Sequence, residues 1–206
     1  MTGVDGTGPE ATGANGTRSE GARRRPQAAG ALRPMEEADL ERVLAWRNHP
    51  DVRRWMYTTH EIGMEEHRSW FAASAEVPGR HLLVYELDGE PCGFVNVSVD
   101  GTAGAAGASA TWGFYLAPDA PRGSGRGLGQ AAIDHAFGTM ALEELRGEAL
   151  ASNANSIAFH RRLGFEASGA AGGERREQDG EPVEVACFRL GREAWLARRT
   201  EDETRP

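Results

Sequence analysis

The sequence predicts an α+β fold, a mixed and mostly antiparallel sheet flanked by helices. Three observations predict it. Two helical patterns precede the main strands; strand-like runs separated by turn residues follow; and a glycine-rich turn opens a helix–strand–helix stretch before a closing hairpin.

The elements follow in chain order. Residues 1–30 are Gly, Thr, Ala, Ser and Arg with almost no large apolar side chain. Ordering them would cost chain entropy with little to bury, so they read as a disordered tail. Ala31 and Leu32 begin a short strand. A helix runs from about Glu36 to Trp46, with Leu40, Val43 and Leu44 on one stripe, and Pro50 marks the break after it. A second helix spans about Met64 to Ala75, with Met64, His67, Trp70 and Phe71 at helical spacing and Pro78-Gly79 closing it.

His81 to Leu87 and Cys92 to Val99 form a hairpin around Asp88-Gly89-Glu90-Pro91. A Gly/Ala-rich link over 101–108 leads to a strand from about Ser109 to Leu116. A glycine-rich loop, a helix to about Met140, a strand from about Glu148 to Ala151 and a helix from about Asn155 to Leu163 come next. The end is a long hairpin, Phe165 to about Gly169 and Val183 to Leu190, turning near Gln178-Asp179-Gly180. The expected domain covers 31–196, with 197–206 as a C-terminal tail.

Composition narrows the function. The chain has 206 residues, 39% hydrophobic and 26% charged, which suits one domain with a flexible extension. Its formal net charge of -8 gives little electrostatic support for gripping nucleic acid or an anionic membrane. All 23 basic residues are arginines, so chemistry needing a lysine Schiff base or a phosphate-loop lysine is excluded. Cys92 and Cys187 have no partner at metal-ligand spacing and read as reduced core residues; no metal is expected. No apolar run is long enough to span a bilayer and the N-terminus lacks a hydrophobic signal core, so the expected location is the cytosol.

Gly123 to Gly129 reads GSGRGLG between a strand and a helix. Such a turn makes an anion cradle, because glycine lets backbone N–H groups approach and the first helical turn carries unpaired donors. Tight turns also use glycine for steric reasons alone. A phosphate loop needs a Gly-Lys pair that is absent here, and the dinucleotide spacing fails at Leu128 and Gln130.

What fits is a pyrophosphate pattern of Gln or Arg followed by x-x-Gly-x-Gly, and here the chain resembles the GNAT acetyltransferase superfamily. Arg122-Gly123-Ser124-Gly125-Arg126-Gly127 matches in one register. Gly125-Arg126-Gly127-Leu128-Gly129 matches the run into the helix in another, with Ser124 where Gln or Arg is usual. The stretch Asn153 to Phe165, NANSIAFHRRLGF, resembles the superfamily's late helix and its Leu-Gly-Phe exit. The segments Trp46 to Tyr57, His60 to Ile62, Glu65 to His67, Trp70-Phe71, Trp112 to Leu116 and Arg192 to Trp195 are similar to the UDP-amino-sugar N-acetyltransferases of pseudaminic acid biosynthesis. Ribosomal-protein N-acetyltransferases share part of this pattern.

The resemblance implies an acetyl-CoA-dependent enzyme acetylating a small-molecule amine, with the 4-amino group of UDP-4-amino-4,6-dideoxy-N-acetyl-β-L-altrosamine as the expected acceptor. It implies no nucleic-acid or membrane partner and a monomer or homodimer. Acetyl transfer needs a neutral amine, an oxyanion stabiliser and a proton for the departing thiolate. The implied stabiliser is the backbone at Tyr115 and Leu116. The implied thiolate acid is His160, where the superfamily often has tyrosine; the alternative is a surface histidine beside Arg161 and Arg162. The implied coenzyme A contacts are Tyr115, Leu116, Arg122 to Gly129, Asn153, Asn155 and His160. Arg47, Tyr57, His60 and Glu61 are the implied acceptor residues, although Arg47 and Asn48 suit a helix cap and Tyr57 a core edge. The strand Ser109 to Leu116 carries no carboxylate base. Protein N-terminal acetylation and a non-catalytic coenzyme A-binding module are the competing readings.

Overall fold

The computed structural model describes residues 30–101, 107–169 and 173–203, with side chains described through Thr200. Apart from Gly30, the expected N-terminal tail lies outside the described residues, as do 102–106 of the Gly/Ala-rich link. The described elements are β1 (Gly30–Pro34), α1 (Leu40–Asn48), α2 (Pro50–Arg53), α3 (Met64–Ala75), β2 (Arg80–Leu87), β3 (Glu90–Val99) and β4 (Ser109–Leu116). Then come α4 (Ser124–Asp134), β5 (Glu144–Leu150), α5 (Ala154–Arg162), β6 (Glu166–Ser168), β7 (Glu174–Gln178), β8 (Glu181–Gly191) and α6 (Arg192–Glu203).

The strands form one sheet in the order β1-β2-β3-β4-β5-β8-β6, with β7 also paired to β8. Every pairing is antiparallel except β4 with β5. The expected α+β class with mixed, mostly antiparallel strands is the fold observed. Asp88 and Gly89 take φ of 53° and 82°, the left-handed pair that a two-residue hairpin turn requires, so β2 and β3 are longer than the turn sequence suggested.

Alternation along the strands sends side chains to two cores. On one face Val95, Val97, Trp112, Leu128, Phe137, Leu145 and Phe188 pack beneath α4, α5 and α6. On the other, Val84 and Phe94 meet Val43 and Trp46 of α1, with Trp70 and Phe71 of α3 against them. Arg33 ties β1 to the entry of α1 by bonding both Asp39 carboxylate oxygens, at 2.6 and 2.8 Å. Cys92 and Cys187 are free thiols, not joined in a disulfide, and Cys92 is buried.

Other boundaries differ from expectation. The helix expected from Glu36 begins with a 3-10 turn at Glu37–Asp39 and continues to Asn48. α1 ends at Asn48, and Pro50 follows that break and also opens the unexpected α2, because a proline at the first helical position loses no hydrogen bond. β5 begins at Glu144, four residues early, since Leu145, Gly147 and Ala149 alternate inward while charged residues point outward. A helix not among the expected elements opens at Arg192 and runs to Glu203.

Among the described residues no helix is long and apolar enough to cross a membrane, and no His/Cys/Asp/Glu group could hold a metal ion.

Candidate active site

The parallel pairing of β4 with β5 ends at Trp112 and Gly147. β4 continues to Leu116 and β5 to Leu150, so the two strands part and leave backbone N–H and C=O groups on the facing edges without a ladder partner. Of the two expected backbone polarisers, Leu116 turns its N–H to this open edge, whereas Tyr115 turns its own to β3, opposite Phe94, and is corrected on that account.

At the mouth of the opening lies the first turn of α4, where Gly125 lines the groove while the Ser124 and Arg126 N–H groups are given to Pro121 O and Gly123 O, both at 3.1 Å. Gly123 is the N-cap at φ 93°, a left-handed conformation costing other residues about 1–2 kcal/mol, and nothing lies within 4 Å of where a Cβ would sit. The groove beside it, about 740 Å³, is lined by Gly123, Gly125 and Arg126 on one side and Phe159, Arg162 and Leu163 on the other. This matches the room and the charge that a diphosphate requires.

The structure divides the glycine run. Gly127 packs on the Tyr85 hydroxyl, and a Cβ at Gly129 would sit 2.6 Å from Leu163 Cδ1 and 2.9 Å from Phe159 Cζ. These two glycines let α4 approach β2 and α5, and Leu128 is wholly buried in the core. Beyond the first turn the N–H groups are also committed to the helix. Gly127, Leu128 and Gly129 are therefore corrected from cofactor contacts to packing residues. Ser124 is buried and donates its hydroxyl to Pro121 O at 2.7 Å, bracing the turn from beneath. Arg122 is exposed just outside the groove.

The late helix also needs correction. Asn153 is the N-cap of α5 and accepts from Ser156 N at 3.0 Å, while Asn155 is exposed on its first turn. His160 is 1% exposed, stacked on Phe188 at 4.6 Å and 7°, with Trp112 and Phe165 edge-on around it. Its Nδ1 lies 2.9 Å from Ser156 O, which only accepts, so Nδ1 carries the proton and Nε2 does not. Burial holds the ring well below the usual histidine pKa, against a smaller opposing effect of that bond. A neutral imidazole with a bare Nε2 has no proton to give, so the expected acid role is not what this geometry serves.

Of the residues expected to meet the acceptor, Tyr57, His60 and Glu61 occupy the segment between α2 and α3, and Arg47 stands in the last turn of α1 bonded to that segment. The β7–β8 turn holds this segment: Asp179 N donates to Tyr57 O at 3.0 Å, Thr59 N and Oγ1 donate to the Asp179 carboxylate, and Gln178 Nε2 donates to Met56 O at 2.8 Å. Asn48 pins its far end through both directions of exchange with Ile62, at 2.8 and 2.9 Å. Arg47 Nη2 donates to Thr58 O at 2.7 Å, while its Nη1 is buried without a protein partner. Burial pushes the Arg47 pKa down, the sign of an under-compensated cation. His60 and Glu61 are exposed and sit beside Glu66 at 3.2 Å and Arg53 at 3.7 Å.

Sequence reasoning missed Glu148. It follows the last β4-paired residue of β5, and its carboxylate accepts Tyr57 OH at 2.7 Å and both Nε and Nη2 of Arg176, at 3.0 and 2.7 Å. Burial alone would raise its pKa, but the Arg176 and Tyr57 bonds hold it below the usual carboxylate value. Burial and the same carboxylate push the Tyr57 phenol up. The available signal was the strand parity of 144, 146 and 148, legible once β5 is started at Glu144.

The comparisons with known proteins fit this geometry. Residues 31–166 match the family model described as an acetyltransferase (GNAT) domain. No curated protein matches the chain significantly. Among solved structures, the Vibrio cholerae spermidine N-acetyltransferase in complex with CoA and spermine is similar at TM-score 0.70 and 18% identity, covering 81% of this chain and 98% of that one. The aminoglycoside acetyltransferase AAC(6')-Ib in complex with coenzyme A is similar at TM-score 0.65 and 20% identity, covering 83% and 99%. YncA from Salmonella typhimurium with acetyl-CoA is similar at TM-score 0.59 and 20% identity, covering 79% and 94%.

Proposed function

Because the chain belongs to the GNAT acetyltransferase family and is an acetyl-CoA-dependent N-acetyltransferase, we propose that its acceptor is a small molecule whose primary amine is accompanied by an anionic group, specifically a UDP-4-amino sugar. The observation that carries this reading is the buried, unpartnered Nη1 of Arg47. A guanidinium held in place by Thr58 O with one fork still open suits a phosphate or carboxylate oxygen. The carboxylates of the same region already have partners: Glu148 accepts from Arg176 and Tyr57, and Asp179 from Thr59.

In this reading, the first turn of α4 and Arg126 hold the coenzyme A diphosphate, and the thioester enters the opening between β4 and β5. The Leu116 N–H, which faces the open edge, polarises its carbonyl and stabilises the oxyanion formed when the amine attacks. Collapse breaks the C–S bond and releases coenzyme A, and the proton lost by the amine balances the departing thiolate. Tyr57, whose single O–H is given to Glu148, accepts a hydrogen bond from the acceptor.

A second reading has two supporting observations: the net charge of -8 favours cationic acceptors, and the neighbours named above include a spermine complex and an aminoglycoside acetyltransferase. A free-thiol assay with acetyl-CoA separates the two. It compares the 4-amino UDP-sugar, spermidine, an aminoglycoside and ribosomal-protein N-terminal peptides. Thiol release with the sugar alone is the expected result. Release with only the polyamine, aminoglycoside or peptide overturns the anionic reading, and coenzyme A binding without release to any of them favours the non-catalytic module.

A further inference from the structure

Among the described residues, three glycines stand in the interior of a strand, and two of them have a packing reason. A Cβ at Gly93 of β3 would sit 2.5 Å from Leu128 Cδ1, and one at Gly147 of β5 would sit 2.6 Å from both His160 Nε2 and Trp112 Nε1. Gly113 of β4 has no such reason: it is exposed, nothing lies within 4 Å of where its Cβ would be, and its φ is not positive. Glycine weakens a strand interior. A bare position that neither packing nor backbone conformation requires therefore marks a place where something else comes close to the chain.

β4 pairs with β5 as far as Trp112 and Gly147, so Gly113 is the first residue of β4 beyond the parting, as Glu148 is of β5. Strand alternation turns both away from the core that holds Trp112, to the face on which Tyr115 packs against Phe94. On the β5 side Glu148 holds the Tyr57 hydroxyl at 2.7 Å. On the β3 side Asn96 stands directly opposite Gly113, and its Oδ1 is buried without a hydrogen-bond partner. The bare peptide of Gly113 is thus a floor between two polar walls, set two strand spacings or about 10 Å apart.

We propose that Gly113 determines acceptor specificity: its bare peptide seats the ring of an amino sugar, and Asn96 Oδ1 takes a hydrogen bond from a ring hydroxyl or amide N–H. A ring laid flat covers the floor and turns its substituents to both walls, whereas a linear polyamine or an extended peptide covers only a strip of it. A buried oxygen without a donor is costly, so Asn96 favours an acceptor that brings one. The seat is indifferent to charge carried elsewhere on the molecule. It suits a UDP-4-amino sugar and an aminoglycoside alike, and suits spermidine or a protein N-terminus less. The proposal rests on the reading that the acceptor enters beside Tyr57 and Glu148.

Gly113→Ala and Gly113→Val in the full chain, assayed with the four acceptors named above, test it. For the amino sugar that wild type acetylates, kcat/KM is expected to fall about 10-fold with alanine and about 100-fold with valine, because the added methyl groups stand where the ring lies. Coenzyme A affinity by calorimetry stays within about twofold. The denaturation midpoint does not fall, since a Cβ here meets nothing and valine favours a strand. Lost turnover with undiminished stability is a result that a structural role for Gly113 does not produce. Asn96→Leu raises the KM of the same sugar about tenfold, and an unchanged KM would remove the Asn96 contact. A Gly113→Val enzyme that keeps kcat/KM within about threefold overturns the seat and leaves the UDP-sugar reading intact; equal weakening of coenzyme A overturns it by placing Gly113 at the co-substrate. Wild-type turnover of the aminoglycoside alone, lost in Gly113→Val, supports the seat and overturns the anionic reading. Turnover of only spermidine or the peptides, or of none of the four, overturns both.

Discussion

The Tyr57 hydroxyl donates to Glu148 Oε2 at 2.7 Å, joining residues 91 positions apart. The bond connects the segment between α2 and α3 to β5, one residue past the point where β4 and β5 separate. It fixes that segment, the wall of the proposed acceptor site, relative to the open strand edge. Tyr57→Phe removes the donor and keeps the ring. The expected outcome is a KM for the acceptor raised about tenfold, the worth of one hydrogen bond to a charged group, with the KM for acetyl-CoA unchanged. Steady-state kinetics varying each substrate in turn checks it.

Glu148 has a different expected signature. Glu148→Gln keeps the shape but breaks the charge pairing with Arg176, leaving that guanidinium under-compensated. Because the Glu148 pKa is held below normal by Arg176 and Tyr57, its contribution to stability is full above the unfolded carboxylate pKa and is lost as pH falls through the lower folded value. Urea unfolding below pH 4.5 is therefore steeper with pH in wild type than in Glu148→Gln, since 4.5 is the ordinary value. Equal slopes would remove the linkage.

Arg47→Gln tests the acceptor reading. Loss of a charge-assisted contact to an anionic acceptor raises that acceptor's KM by about 10- to 100-fold, and Arg47→Lys recovers only part of it because a single ammonium cannot hold Thr58 O and the acceptor with a rigid fork. A cationic acceptor whose KM falls in Arg47→Gln would reverse the assignment.

His160→Phe is expected to keep kcat within about threefold, because a neutral ring with an unprotonated Nε2 supplies no acid and no hydrogen bond for the variant to lose in the transition state. A drop of about a hundredfold, the usual worth of a general acid, would restore the catalytic role. The same variant has a stability signature. His67, His135 and His160 all have pKa values lowered mainly by burial. The unfolded chain takes up their protons first as pH falls below the ordinary value of 6.5, so native stability declines from there toward the folded pKa values. Each such proton costs up to about 1.4 kcal/mol per pH unit, and urea titrations between pH 7 and 5 should show one proton less in His160→Phe.

Two glycines four residues apart on α4 are expected to respond oppositely to alanine. Gly129→Ala forces a Cβ against Leu163 and Phe159 and costs about 1–3 kcal/mol from overpacking, partly offset by helix propensity. Gly125→Ala meets only ordinary contacts and stabilises the unliganded protein by up to about 1 kcal/mol. Denaturant midpoints of the two variants check the division of the glycine run.

The sequence by itself determined the class and order of the elements, because periodicity is a local property. The spacing of Met64, His67, Trp70 and Phe71 placed α3 at its observed bounds, and the run ending in Leu116 placed β4. The GSGRGLG run and the NANSIAFHRRLGF stretch were enough to identify the family and its co-substrate. They did not separate residues that touch a ligand from residues that let helices pack. Gly123 and Gly127 read alike in a string, and only the approach of Tyr85 to one of them distinguishes them.

Tertiary structure alone decided the rest. Whether His160 meets solvent or Phe188 depends on β8, and whether Glu148 matters depends on Tyr57 and Arg176 arriving from far along the chain. The Asp179 turn clasps Thr59 across 120 positions, and α6 brings Arg198 and Arg199 to a groove that begins at Gly123. Such contacts carry no periodic signal. They are set by strand order and by where two strands part, and they emerge when side chains from separate elements compete for the same space and charge.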